Sequence, residues 1–162
     1  MTTDRTVTLD VLDVLDGEGC RERWQFHCTR HEDRFCVKAQ GPGGAEHTGV
    51  GADWLDALRE LRLVLEDEGL RPLCVGAMVN AHQSGMLAGS SEGAVVYLLS
   101  RKRSPTPGET AWIFDPAGPE VTGTVAEQEV FFARWAAGRH RYGPVRAVRG
   151  QVRELWHRLR YR

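Results

Sequence analysis

Lysine is almost missing from this chain: of its 21 basic residues only Lys38 and Lys102 are not arginine. Such a bias fits a GC-rich genome as readily as it fits phosphate recognition, so it decides nothing alone. Long apolar runs are missing too. None approaches the roughly 20 residues that cross a bilayer, which excludes a helical membrane span. No apolar core of roughly 7–15 residues follows the N-terminus, so no secretory signal is expected and the expected compartment is the cytoplasm. The four cysteines, Cys20, Cys28, Cys36 and Cys74, are then expected as reduced thiols. The chain carries no internal repeat and no low-complexity tract. It lacks the Gly-x-Ser-x-Gly nucleophile elbow, a P-loop or dinucleotide fingerprint, and helix-turn-helix or zinc-finger spacing.

What is there describes an ordinary globular protein with an uneven charge layout. With 162 residues, 41% hydrophobic and 27% charged, the chain is expected to form one domain with a substantial core. Residues 134–162 carry nine arginines against the single acid Glu154, a net charge of +8, so the rest of a chain of net charge −1 carries −9. The organisation expected is an acidic body over residues 1–138 and a basic helical arm over 139–162.

Alternation over residues 5–15 predicts a half-buried strand, with Val7, Leu9 and Val11 on one side and Thr6, Thr8 and Asp10 on the other. After the turn signal of residues 16–19, Arg21 to Cys28 and Arg34 to Gln40 read as an antiparallel hairpin around residues 30–33. Trp24, Phe26 and Cys28 would share the core face with Phe35, Val37 and Ala39, while His27 opposes Cys36 outside. Gly41-Pro42-Gly43-Gly44 ends the hairpin.

A helix is expected from the N-cap Asp53 to Glu68, with Trp54, Leu58, Leu61 and Leu65 as its stripe, Leu55, Leu63 and Val64 widening it, and Gly69 in the C′ position. Leu73 to Val79 reads as the central strand, opening into the polar loop Asn80 to Ser84. Ala94 to Ser100 reads as another buried strand and Thr110 to Phe114 as a short one. Residues 101–109, with Ser104-Pro105-Thr106-Pro107-Gly108, read as an exposed, mobile loop. Thr124 and Glu127 have capping-box spacing for a helix that places Val125, Phe132, Trp135 and Ala136 together and ends at Gly138. Val145 to Arg160 predicts a last helix, with Val145, Val148, Val152, Leu155 and Leu159 along one stripe. The fold class expected is α+β: a mainly antiparallel sheet of about 5–6 strands with helices packed on one face, plus the Arg-rich C-terminal helix.

Several blocks carry a resemblance: Cys74-Val75-Gly76-Ala77 with Ser84-Gly85-Met86, Val96-Tyr97-Leu98, Ile113-Phe114-Asp115-Pro116, and Thr124 through Trp135. They resemble blocks in small uncharacterised bacterial proteins associated with toxin-immunity systems, over about residues 54–137. The resemblance implies a cytosolic protein that binds and blocks a cognate toxin. It implies no cofactor and carries no catalytic residue across.

The residues themselves offer several chemistries. Cys20, Cys28 and Cys36, with His27 and His31 nearby, suggest a metal, but structural zinc sites pair ligands two to four residues apart. Only Cys28 and His31 approach that spacing, and alternation turns Cys28 inward, so no metal is expected. His82 with Ser84 or Cys74 would serve a small hydrolase, though no third orienting group can be named; the other reading is that Asn80, His82 and Ser84 bond their own loop backbone. Gly85, Gly89 and Gly93, or Gly41 to Gly44, fit no phosphate-binding motif. Arg146, Arg149, Arg153 and Arg160, near Trp156, His157 and Tyr161, could neutralise phosphates of a nucleic acid or meet an acidic partner. The same helix could dock through its Val/Leu seam, in cis or as a homodimer.

Protein binding needs the fewest special features. Asn80, His82, Gln83, Ser84 and Met86 form the expected partner-binding loop, joined by Glu66, Asp67 and Glu68 in a negative patch that would steer a basic partner such as a nuclease toxin. The leading expectation is a macromolecule-binding protein without catalysis, of immunity type. A nucleic-acid-binding arm is the alternative and a small hydrolase the third.

Overall fold

The structure, a computed structural model, describes residues 5–100 and 109–141, with side chains from residue 11 onward and up to 138. It is α+β, but with two antiparallel sheets where the sequence suggested one. The larger is built from β1 (Arg5–Leu15), β2 (Arg21–His31), β3 (Arg34–Gln40), β4 (Glu46–Gly51) and the two-residue β5 (Arg71–Pro72), in the order β4-β3-β2-β1-β5. The smaller joins β6 (Ala81–His82), β7 (Val95–Leu98) and β8 (Thr110–Trp112) in that order. Three helices complete the described residues: α1 (Trp54–Asp67), α2 (Gly85–Ser91) and α3 (Val125–Arg141).

The β2–β3 hairpin has the expected faces and a different register. Phe26 lies opposite Ala39 and Cys28 opposite Val37, all buried. His27, however, faces Lys38, and Cys36 faces Thr29. The turn is shorter than the sequence suggested: pairing persists to His31 and Arg34, with Glu32 at φ 52°, the left-handed conformation a two-residue turn requires. In β1 the simple alternation fails. Its pairing with β2 shifts between Thr8 and Val11, a bulge whose extra residue turns the following side chains over. Val11 is consequently 47% exposed, whereas Leu12 and Val14 enter the core.

α1 packs against the inner faces of β3 and β4. Asp53 caps it, accepting from the Asp56 amide at 2.8 Å, and Gly69 at φ 75° follows its end as an αL terminator should. Leu58, Leu61 and Leu65 are fully buried, each worth about 1.5–3 kcal/mol in transfer free energy. Leu63 and Val64 do not widen the stripe; they are exposed, and Arg62 is buried in their place. The helix approaches β4 closely because Gly49 and Gly51 lie beneath it. A Cβ at Gly49 would stand 2.2 Å from the Ala57 carbonyl oxygen and the Leu61 amide nitrogen.

The segment expected as the central strand is not one. Beyond Pro72 the chain makes only isolated bridges, Cys74 to Pro116 and Met78 to Thr122, around a 3-10 turn at Val75–Ala77. Its apolarity has the predicted consequence, burial from Leu73 through Ala77, in an irregular path. Gly76 permits this path: a Cβ there would meet a Leu58 methyl at 2.5 Å. β7 is half-buried rather than fully buried, with Val96 inside and Leu98 exposed. α3 begins at its capping box, Thr124 N–H donating to Glu127 Oε2 at 2.8 Å and Glu127 N–H to Thr124 Oγ1 at 3.1 Å. It runs past Gly138 to Arg141. Residues 101–108 of the loop expected at 101–109, and the helix expected at 145–160 with Arg146, Arg149, Arg153 and Arg160, lie outside the described residues.

Candidate functional site

A buried irregular segment leaves its carbonyls without ladder partners, and each must be satisfied by other means. Arg62 and Gln128 do this here. Arg62 Nη1 donates to the Gly76 carbonyl at 3.1 Å and to Gln128 Oε1 at 2.8 Å, and Nη2 donates to the Gly123 carbonyl at 3.0 Å. Gln128 Nε2 lies within reach of three carbonyls, Met78 at 2.8 Å, Gly76 at 3.2 Å and Ala81 at 3.3 Å. Glu66 adds a third tie, both its carboxylate oxygens accepting from the Val125 amide at 3.0 and 3.1 Å. A carboxylate at a helix N-terminus answers both an orphan N–H and the helix dipole.

Burial sets the chemistry of this clip. Desolvation lowers the Arg62 pKa, yet a guanidinium starts so high that it remains a cation. Its Nε lies 3.7 Å from Glu66 Oε1 but makes no hydrogen bond; the pair is an ion contact without a shared proton. Cys74, fully buried beside this cation, has its thiol pushed up to about 11, because desolvation outweighs the Arg62 charge and the bonds from the Ala77 and Gly76 backbone. The Cys28 thiol is pushed up to about 12 by burial, with the nearby Cys36 adding to it. A thiol held protonated is a poor nucleophile.

The clip delivers the chain into the loop singled out from sequence. Asn80 exchanges bonds with the start of the next loop, its Nδ2 donating to the Leu99 carbonyl at 3.1 Å and its own carbonyl accepting from the Leu99 amide at 2.8 Å. Gln83 Nε2 reaches Asp53 Oδ2 at 3.4 Å, tying the loop to the cap of α1. Ser84 caps α2, its Oγ accepting from the Leu87 amide at 3.3 Å. His82 turns away from Ser84's capping role and lies flat on Phe132, ring centroids 4.0 Å apart and planes 12° apart, with Trp135 at 6.5 Å. Burial alone lowers its pKa, so the neutral imidazole is favoured. Met86 projects from α2 at 69% exposure.

The structure therefore keeps Asn80, His82, Gln83 and Ser84 adjacent, His82 within β6, and gives Asn80 a backbone bond, Ser84 a capping bond and Gln83 a contact with the Asp53 carboxylate. The acidic run expected beside them is divided. Glu66 ties to the Val125 amide at the start of α3, Glu68 lies 3.4 Å from His47 on β4, and Asp67 is exposed. Among the described residues no three His, Cys, Asp or Glu side chains converge as a metal site, and no helix is long and apolar enough to cross a membrane.

Sequence reasoning missed Arg62 and Gln128. The signal for Arg62 was present: it sits four residues after Leu58 and three before Leu65, inside the apolar arc of α1. Gln128 sits three residues after the buried Val125 in the same way. No protein-family model matches this sequence, and no curated protein matches it either.

Proposed function

We propose that this protein acts by binding another protein rather than by catalysis, as an immunity-type binder that occludes a basic partner such as a nuclease toxin, in the cytoplasm. One observation carries the reading: the candidate nucleophiles near His82 are engaged in building the fold or buried in it. Ser84 Oγ accepts from the Leu87 amide, Asn80 closes against Leu99, and the Cys74 thiol is buried with its pKa raised to about 11. Among the side chains this half of the molecule exposes are the apolar Met86, Phe132 and Val130, the kind that anchors protein interfaces. The net charge of −9 over residues 1–133 favours encounter with a basic surface.

The test is affinity capture from a lysate of the source cells, with and without nuclease, at low and high salt. A single stoichiometric protein that survives both treatments is the expected result. Nucleic acid alone, released steeply by salt, would overturn the reading and move the function to the arginines of 146–160.

A further inference from the structure

The five-stranded sheet has two unlike edges. β5 is two residues long, and Pro72 has no N–H to offer. β4 pairs with β3 along six residues without a bulge, from Phe35 opposite Gly51 to Gln40 opposite Glu46. The phase of that ladder follows from the turn beyond it, where the Gly41 amide donates to the Ala45 carbonyl. Antiparallel partners alternate between bonded and unbonded pairs, so His47, Gly49 and Gly51 bond β3. Glu46, Thr48 and Val50 direct their N–H and C=O groups out of the sheet, where they meet no partner among the described residues.

This row lies beneath one flank of α1. Leu58 and Arg62 reach the Gly76 segment on the helix's inner side. Ala57 and Leu61 stand over Gly49 of β4, and at about 100° per residue Glu60 and Val64 fall on the side of them away from Leu58 and Arg62, the side of β4's outer edge. Asp67 continues their stripe. Glu60 and Val64 are 46% and 42% exposed and Asp67 is exposed. An open strand edge below an acidic helix flank with one valine in it accepts an added strand. We infer that the β4 edge and the Glu60–Val64–Asp67 flank of α1 form a docking groove for an extended, basic segment of the partner protein, bound as a sixth strand. This rests on the protein-binding reading above and gives that reading a surface.

The occupant is a foreign segment and not a second copy for a steric reason. α1 sits directly on β4 at Gly49, with Ala57 and Leu61 backbone in contact. Paired strands lie about 4.8 Å apart, whereas packed helices need about 8–10 Å. Two copies joined edge to edge through β4 would drive their α1 helices together; a lone strand brings no helix. Its side chains on the α1 side meet Asp67 and Glu60, the latter already paired with Arg59 at 3.2 Å, which favours arginine or lysine opposite Asp67 above all, and those on the open side meet Val50 and Thr48.

The test uses the full chain and a blocked hexapeptide of alternating arginine and valine, followed by amide hydrogen exchange and fluorescence anisotropy. Expected is added protection at the Glu46, Thr48 and Val50 amides and not at His47 and Gly49, which already bond β3. Thr48→Pro removes an outward N–H and leaves the β3 ladder intact; it should weaken the peptide about tenfold or more, the worth of a lost bond plus the clash of the ring with the added strand. Thr48→Val retains the N–H and should bind as the parent does. A peptide with glutamate in place of arginine should not bind. Unchanged affinity in Thr48→Pro, or protection mapping elsewhere, overturns the proposal, as does protection of the same amides that grows with protein concentration alone, the mark of self-pairing. A partner captured from lysate equally well by Thr48→Pro and by the parent would overturn the groove and leave the protein-binding reading standing. Peptide binding with no captured partner would uphold the groove and sink that reading.

Discussion

The two halves of this molecule are held by different means. In the layer of β2, β3, β4 and α1, backbone groups satisfy one another in ladders and helix turns, and side chains contribute apolar volume: Phe26, Val37 and Leu61 are fully buried. In the half that follows Pro72, the backbone of residues 73–77 is irregular and buried together, and charged or amide side chains complete its hydrogen bonds. Loss of a side chain in the first half removes packing. Loss of Gln128 in the second, or of Arg62 that α1 extends into it, strands main-chain carbonyls, a cost that apolar replacement cannot recover.

Arg62→Ala tests this contrast most severely. It leaves the Gly123 carbonyl without its Arg62 donor and Glu66 without its buried cation. Breaking such a buried arrangement by removing one partner costs about 3–5 kcal/mol, measurable by denaturant unfolding. Hydrogen exchange should rise first at residues 74–81, before the β2 and β3 amides respond. If both halves open together with the same loss, the distinction drawn between them fails.

Gly49→Ala strikes the other half. The new Cβ would lie 2.2 Å from two backbone atoms of α1, which cannot move aside as a side-chain tip can. Overpacking of this kind costs about 1–3 kcal/mol, and here the exchange of β4 and α1 amides should rise while residues 74–81 remain protected. A neutral outcome in thermal unfolding would show that α1 can lift off β4 and would remove the steric argument against self-pairing.

Asp53 belongs to both halves, since Oδ1 caps α1 and Oδ2 meets Gln83. Asp53→Ala should cost about 1 kcal/mol as a lost cap. Asp53→Ser, which retains a capping oxygen but not the second one, should recover most of that stability while leaving the Gln83 loop more open to exchange. Equal loop protection in the two variants would show that the 3.4 Å contact contributes nothing.

The contrast also explains what could be read from sequence. Period-two and period-3.6 patterns report on elements whose backbones are self-sufficient, so the hairpin faces, the Asp53 cap, the Gly69 terminator and the Thr124 capping box were all visible. The slips in β1 and in the hairpin came from single residues, a bulge and a two-residue turn, which shift register without changing composition. Leu73 to Val79 reads as a strand because burial demands apolar residues in any conformation. Its real path depends on Gly76 and on the Arg62 and Gln128 donors, and the donors lie outside the segment. The β4 edge was hidden for a related reason: nothing in Glu46 to Gly51 says that no further strand among the described residues follows beside it.

The smallest effect expected concerns pH. Burial on Phe132 lowers the His82 pKa below its ordinary value near 6.5, so the folded state binds a proton less readily than the unfolded one. Linkage then fixes the sign: stability is unaffected above the unfolded pKa and is lost as pH falls from about 6.5 toward the folded value. His82→Phe keeps a flat ring against Phe132 and Trp135 and removes the titration. Its unfolding free energy should therefore track the parent at pH 8 and decline less between pH 6.5 and 5. Exchange at low pH should report the loosening at His82 and the distal turns of α3 and not at Phe26 or Val37. A parent protein whose acid sensitivity is unchanged by His82→Phe would mean that the ring stack holds its histidine equally well in either protonation state, the imidazolium being repaid by the aromatic faces that desolvate it.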